Sequence, residues 1–164
     1  MAAVAAKAGV ATGSVYRHFP GKADLVAEVF RQVVSREVAA VEQAATGTGT
    51  VTEQVVAVFE TFAGRALKAP RLAYALLAEP VDAPVEEQRL VFRRAFRDVI
   101  ARRITDGVAA GLLPSQNAEI TAAALVGAAA EVLIGPLTAG DTDSISELFT
   151  FTVRALGGSD ASDS

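Results

Sequence analysis

The sequence predicts an all-α fold, and three observations predict it. No stretch alternates apolar and polar residues long enough to make a strand, whereas apolar residues recur at three- and four-residue spacing in segment after segment. Glycine and proline punctuate many of the boundaries between those segments, at Gly9, Pro20-Gly21, Pro70, Pro80 and Gly111–Pro114. With 51% apolar and 21% charged residues over 164 positions, the chain is globular and long enough for one core-forming unit carrying a small module.

The elements follow in order. Residues 2–8 are small and apolar, with Val4, Ala5 and Ala8 as the stripe expected to be buried. Gly9 suits the left-handed position after a helix. Thr12 is the expected N-cap of a short second helix, in which Val15 and Phe19 point inward and which Pro20 ends. A long helix over 22–44 starts after Gly21, with Asp24 in its first turn and Leu25, Val26, Val29, Val33, Val38 and Val41 inward. The run 45–50, Ala-Thr-Gly-Thr-Gly-Thr, is a linker; its Gly-x-Gly follows a helix, not a strand, and so is no dinucleotide fingerprint. A helix over 51–69 carries Val55, Phe59, Phe62 and Ala66 on one face, and a short one over 71–79 lies between Pro70 and Pro80.

A long helix over 84–110 follows, with Val91, Phe92, Ala95, Phe96, Val99, Ile100, Ile104 and Val108 inward. Arg89, Arg93 and Arg97 form another face of it, read as solvated and paired with carboxylates such as Glu86 and Glu79 rather than as a nucleic-acid surface. After the turn Gly111–Pro114, residues 117–138 are apolar on nearly every side and have almost the length of a membrane span. Their Ala and Gly content, Glu131 and the Gly135-Pro136 break point instead to a helix buried all round, partly by a second subunit. The last helix, 143–156, is capped by Asp143 or Ser144 and turns Ile145, Leu148, Phe149, Thr152 and Leu156 to one side. The tail, 158–164, is expected to be disordered.

Some chemistry is excluded by composition. The chain has no cysteine and one histidine, so disulfides, thiolate catalysis and multi-histidine or cysteine metal sites are ruled out, and neither cofactor nor metal is expected. A nucleophile–base pair would have to use His18, so an enzyme is disfavoured. No basic-then-apolar leader precedes residue 30, which predicts a cytoplasmic location. The net charge is −4, yet residues 1–31 carry Lys7, Arg17, Lys22 and Arg31 against only Asp24 and Glu28. The basic end is the end with the two short helices. There Thr12, Gly13, Ser14, Tyr16, Arg17 and His18 are left facing out from a helix held from behind by Val15 and Phe19. Small residues at such a helix's start let it enter a major groove, and donors around it bind phosphates. Lys22 at the next helix start is set to share a phosphate with that N-terminus.

The run from Ala5 to Phe30, with Ala8-Gly9-Val10, Tyr16-x-His18-Phe19 and the following Lys22, resembles the signature of the TetR family of one-component transcriptional regulators. Gly111-Leu112-Leu113-Pro114 and Val126-Gly127-Ala128 resemble the family more weakly. The resemblance implies a helix–turn–helix module over 1–35, incomplete because the family's first helix is not represented, joined by the long helix to an antiparallel helical ligand-binding and dimerisation domain over 36–157. It implies a ligand-responsive regulator, a repressor, bound as a homodimer to an inverted-repeat operator of double-stranded DNA and released by a small apolar ligand. The incomplete module leaves open an alternative, a small-molecule-binding helical dimer that has lost DNA binding. The DNA-facing residues are then Thr12, Gly13, Ser14, Tyr16, Arg17, His18 and Lys22, with Arg17 and Ser14 on base edges. Candidate ligand walls are Phe59, Phe62, Tyr74, Leu77, Phe92 and Phe96, with Arg65 or Glu131 as polar anchor, although core packing is the commoner role for such aromatics. The last two helices of two subunits would form a four-helix, two-fold interface through Leu125, Ala129, Leu133, Leu148, Phe149 and Thr152.

Overall fold

The computed structural model describes residues 1–140 and 142–158; the tail expected to be disordered lies, from residue 159, outside the described residues. The described residues form eight helices: α1 (Ala2–Ala8), α2 (Thr12–His18), α3 (Lys22–Ala45), α4 (Val51–Lys68), α5 (Pro70–Leu77), α6 (Ala83–Ala109), α7 (Ala118–Ala139) and α8 (Asp143–Ala155). The described residues contain no strand.

The helix ends follow the local chemistry. Gly9 closes α1 at φ 68°, and the Val10 amide reaches back to the Ala5 carbonyl at 3.1 Å. Gly21 opens α3, its N–H donating to Asp24 Oδ2 at 2.8 Å. Thr50 opens α4 in a reciprocal box: Glu53 N–H donates to Thr50 Oγ1 at 3.2 Å, and Thr50 N–H to Glu53 Oε2 at 2.7 Å. Two expected caps differ. Thr12 is the first helical residue of α2 and Ala11 is its N-cap, while Thr142 rather than Asp143 or Ser144 precedes α8. Pro136 does not end α7. It lies in the last turn, where a missing N–H forfeits one bond, and Thr138 Oγ1 donates to the Ile134 and Gly135 carbonyls at 2.8 and 3.1 Å.

The core lies where α3, α4 and α6 meet, with α7 on α6 and α8 on α7 and α4. Phe59, Phe62, Phe92 and Phe96 interlock there, their neighbouring rings 5.2–5.8 Å apart, and Val55, Val58, Ile100 and Ile104 extend the same layer. Such tilted aromatic contacts contribute about 0.5–1.5 kcal/mol per pair beyond area burial. α3 buries Phe30, Val34, Val41 and Ala45, one step round from the stripe expected, and Val29 is exposed. Val91 of α6 and Val4 of α1 are exposed as well, against expectation, and in α1 only Ala5 is buried. These short or wide helices bury a narrower stripe than their apolar content allows.

Candidate nucleic-acid interface

α2 presents its surface as a consequence of how it is held. Val15 is buried, Phe19 is half-buried just past the helix end, and α2 packs on α1 across the Gly9–Ala11 bend. That leaves Thr12, Gly13, Tyr16, Arg17 and His18 exposed and Ser14 half-exposed, with Tyr16 at 52%. Nothing lies within 4 Å of where a Cβ on Gly13 would project, so the approach to the helix start is open. Lys22, the first residue of α3, is exposed just past the Pro20–Gly21 break that follows α2. Among the described residues Arg17, His18 and Lys22 form no ion pair or hydrogen bond, so their charge and donors are free for an external acceptor. The expected DNA-facing residues therefore share one exposed, positively charged corner.

Behind that corner is a cleft of about 450 Å³. Lys22, Val26 and Phe30 of α3 form one wall, and Ala75, Glu79, Val81 and Val85 from α5, the following loop and α6 form the other. Arg89 braces this corner from inside. It is 9% exposed and donates through Nη2 to the Ala75 and Glu79 carbonyls at 2.9 and 2.5 Å and through Nη1 to Glu86 Oε2 at 2.7 Å. The pairing with Glu86 was legible, but the solvated position was not: Arg89 falls in register with Val85, Phe92 and Phe96, and that spacing was the available signal of burial. Arg93 remains exposed and Arg97 partly so.

The expected ligand walls separate into three groups. Phe59, Phe62, Phe92 and Phe96 pack ring on ring and fill their own space, as the core reading had it. Leu77 is buried and Tyr74 half-buried on α5. Glu131 is exposed on α7 rather than beside the rings, and Arg65 is committed to a two-pronged pair with Glu37 at 2.7 Å, which raises its pKa. Arg65 shares a small pocket with Phe62 but spends its guanidinium on Glu37, and Glu131 is turned to solvent.

The expected subunit interface needs correction in the same way. Leu125, Ala129, Leu133, Leu148 and Thr152 are buried within this subunit, and Phe149 is half-buried. Side chains already enclosed by their own chain have no surface left for a second one. α7 is covered by its own subunit on one side; the other side, which the sequence reading left to a second subunit, shows Ile120 at 67%, Ala123, Ala124, Gly127 and Glu131, and α8 adds exposed Phe151. Among the described residues α7 is the one helix long and apolar enough to cross a membrane.

Two short helices around a tight bend, continued by one long helix into a helical body, define a helix–turn–helix protein. Residues 1–29 match the sequence model of the family described as bacterial regulatory proteins, tetR family. No curated protein matches the chain by sequence. Solved structures match along nearly its whole length. The transcriptional regulator FadR from Bacillus subtilis, in complex with stearoyl-CoA, is 16% identical with a TM-score of 0.79, over 95% of this chain and 86% of that one. The fatty acid degradation regulator FadR from Bacillus halodurans is 17% identical with a TM-score of 0.78, over 96% and 83%. E. coli NemR in its reduced form is 11% identical with a TM-score of 0.78, over 95% and 85%. The N-terminal 29 residues thus carry the sequence pattern of the tetR family, and the chain as a whole shares the fold of these solved regulators.

Proposed function

We propose that the chain is a ligand-responsive transcriptional regulator, a repressor, that reads an inverted-repeat operator as a homodimer and is released by a small, largely apolar ligand. The observation that carries this reading is the exposed, unpaired set of Tyr16, Arg17, His18 and Lys22 on α2 and at the start of α3. Arg17 and Ser14 are assigned to base edges, Tyr16, His18 and Lys22 to phosphates, and Thr12 and Gly13 to the close approach of the helix start. Lys22 joins the α3 N-terminus, whose free N–H groups favour an anion.

The homodimer uses the outward faces of α7 and α8, where apolar groups stand uncovered. The ligand reading draws on the Bacillus subtilis relative, solved with a long-chain acyl thioester. In this chain the phenylalanine layer supplies an apolar wall of that kind, and the rings have to part to admit a chain. The cleft beside Lys22 is where such a change in the body reaches α3. A ligand favouring one spacing of the two DNA-facing corners lowers DNA affinity by its preference between states, about 1–3 kcal/mol for ordinary coupling.

The test is selection from a random duplex library followed by fluorescence anisotropy on the enriched sequences. The expected result is an inverted repeat whose half-sites lie about 34–36 Å apart or a multiple of that. Loss of affinity in Arg17→Ala is expected on the enriched site. Enrichment of no sequence, or an Arg17→Ala variant as tight as the parent, refutes the reading.

A further inference from the structure

Between α6 and α7 runs an open groove of about 250 Å³, with Leu90, Ala123, Val126 and Gly127 as its apolar bed and Arg93, Arg94 and Arg97 along its rim. Arg97 has carboxylates near it, Asp98 Oδ1 at 3.2 Å and Glu119 Oε2 at 3.6 Å. Arg93 and Arg94 have none among the described residues. Three adjacent guanidinium groups repel one another, and two of them lack any internal compensation. On α7 the same outward face carries Ala123, Gly127 and Glu131 at four-residue steps. Glu131 is an exposed carboxylate without an ion pair on an otherwise apolar surface.

We infer that the occupant of this groove is α7 of a second copy, seated so that the partner subunit's Glu131 enters between Arg93 and Arg94. This rests on the homodimer reading above and deepens it. In a two-fold pairing the same patch meets itself, residue for residue. Two α7 helices crossing antiparallel at Gly127, where no Cβ holds them apart and space is open, set the residue four before the crossing against the residue four after it. Ala123, in the bed of the groove, then faces the partner subunit's Glu131. The α7 wall of the groove, Ala123, Val126 and Gly127, belongs to the same helix that leaves Ile120 exposed, so α7 supplies apolar area beside the charge pairing. The arginines and the carboxylate are left unpaired in one subunit because each is completed by the other. Their main effect is on register and partner choice, which charged pairs at an interface govern.

The test is sedimentation velocity on Glu131→Arg, on the double variant Arg93→Glu/Arg94→Glu, and on their equimolar mixture, at low and high salt, with circular dichroism to check folding. Each folded variant alone is expected to dimerise at least about tenfold more weakly than the parent, and the mixture to recover most of that loss as a heterodimer. The gain of the mixture over either variant shrinks in high salt. Variants as tight as the parent overturn this pairing while leaving the dimer intact. So does a mixture no tighter than its components. A parent that stays monomeric at every concentration overturns the homodimer reading itself.

Discussion

Replacing Arg89 with Met tests whether the corner between α5 and α6 is built around that side chain. Ala75 and Glu79 present carbonyls that the ending helix does not satisfy, since the Glu79 amide is already given to Tyr74 at 3.2 Å and Pro80 has no N–H. Arg89 supplies both missing donors and pairs with Glu86. Hydrogen bonds from a charged donor contribute about 1.5–3 kcal/mol each, but not additively. Glu86 is nearly half exposed and rehydrates when freed, so its share is discounted. The two carbonyls carry most of the loss, for a total of about 2–4 kcal/mol. For a chain of this size that lowers the melting temperature by roughly 5–15 °C. Urea denaturation followed by circular dichroism, at fixed protein concentration, measures it. Arg89→Lys keeps the charge without the planar fork and is expected to recover less than half the loss. A Met variant within about 0.5 kcal/mol of the parent refutes the bracing role, since ordinary surface changes fall in that range.

Other outcomes follow from single positions. A Cβ on buried Gly107 would stand 2.9 Å from Val51 Cγ1 and 3.0 Å from Leu113, so Gly107→Ala should destabilise by about 1–3 kcal/mol in the same denaturation assay. Lys22→Ala should weaken binding to all duplex sequences alike and flatten the salt dependence by about one unit of slope, because a phosphate contact carries no sequence information. A loss confined to one operator position would contradict that role. Hydrogen bonds from Arg31, then from Gln32, pull the Glu28 carboxyl from 4.5 down to about 2. A lowered folded pKa means that this interaction stabilises α3 fully above 4.5 and is lost as pH falls through about 2. Carboxyl NMR titration should find the midpoint near 2 and see it climb toward 4.5 in Arg31→Ala.

The helices were legible because their ends are chemically marked. Gly9, Pro20, Pro70, Pro80 and Gly111 each stand at or beside a boundary that forms. Pro136 misled because a proline in a last turn gives up a single bond and not the helix. Leu125, Ala129, Leu133, Leu148 and Thr152, expected at the subunit interface, are buried within the subunit itself. What periodicity does not carry is the identity of the covering surface: α6, α4 and the subunit's own core claimed those residues, and the small outward set of α7 was left over. The α2 corner was more legible than the body because motif spacing fixes which residues cannot turn inward when Val15 and Phe19 do. Arg89 was missed because charge was weighed before register, although its place beside Phe92 and Phe96 determined where it would go.

The placement of α3 explains how a body so tightly filled can still govern the corner. Its later two-thirds are fixed by buried Phe30, Val34, Val41 and Ala45 and by the Glu37–Arg65 pair to α4. Its first turns are only half-buried or exposed and border the open cleft. The helix is thus clamped at one end and free at the end that bears Lys22. From Glu37 to Lys22 is 15 residues, about 22 Å of helix. A tilt of about 5° at the clamp moves Lys22 by about 2 Å, the scale of shift that interfaces amplify into switching. In a two-fold dimer both corners move, so their separation changes by up to about 4 Å against half-sites about 34–36 Å apart. On the function proposed above, that mismatch would cost contacts at both half-sites together, so a small change in the body would suffice, and closing the cleft, rather than blocking α2, is the route to release that the proposal predicts.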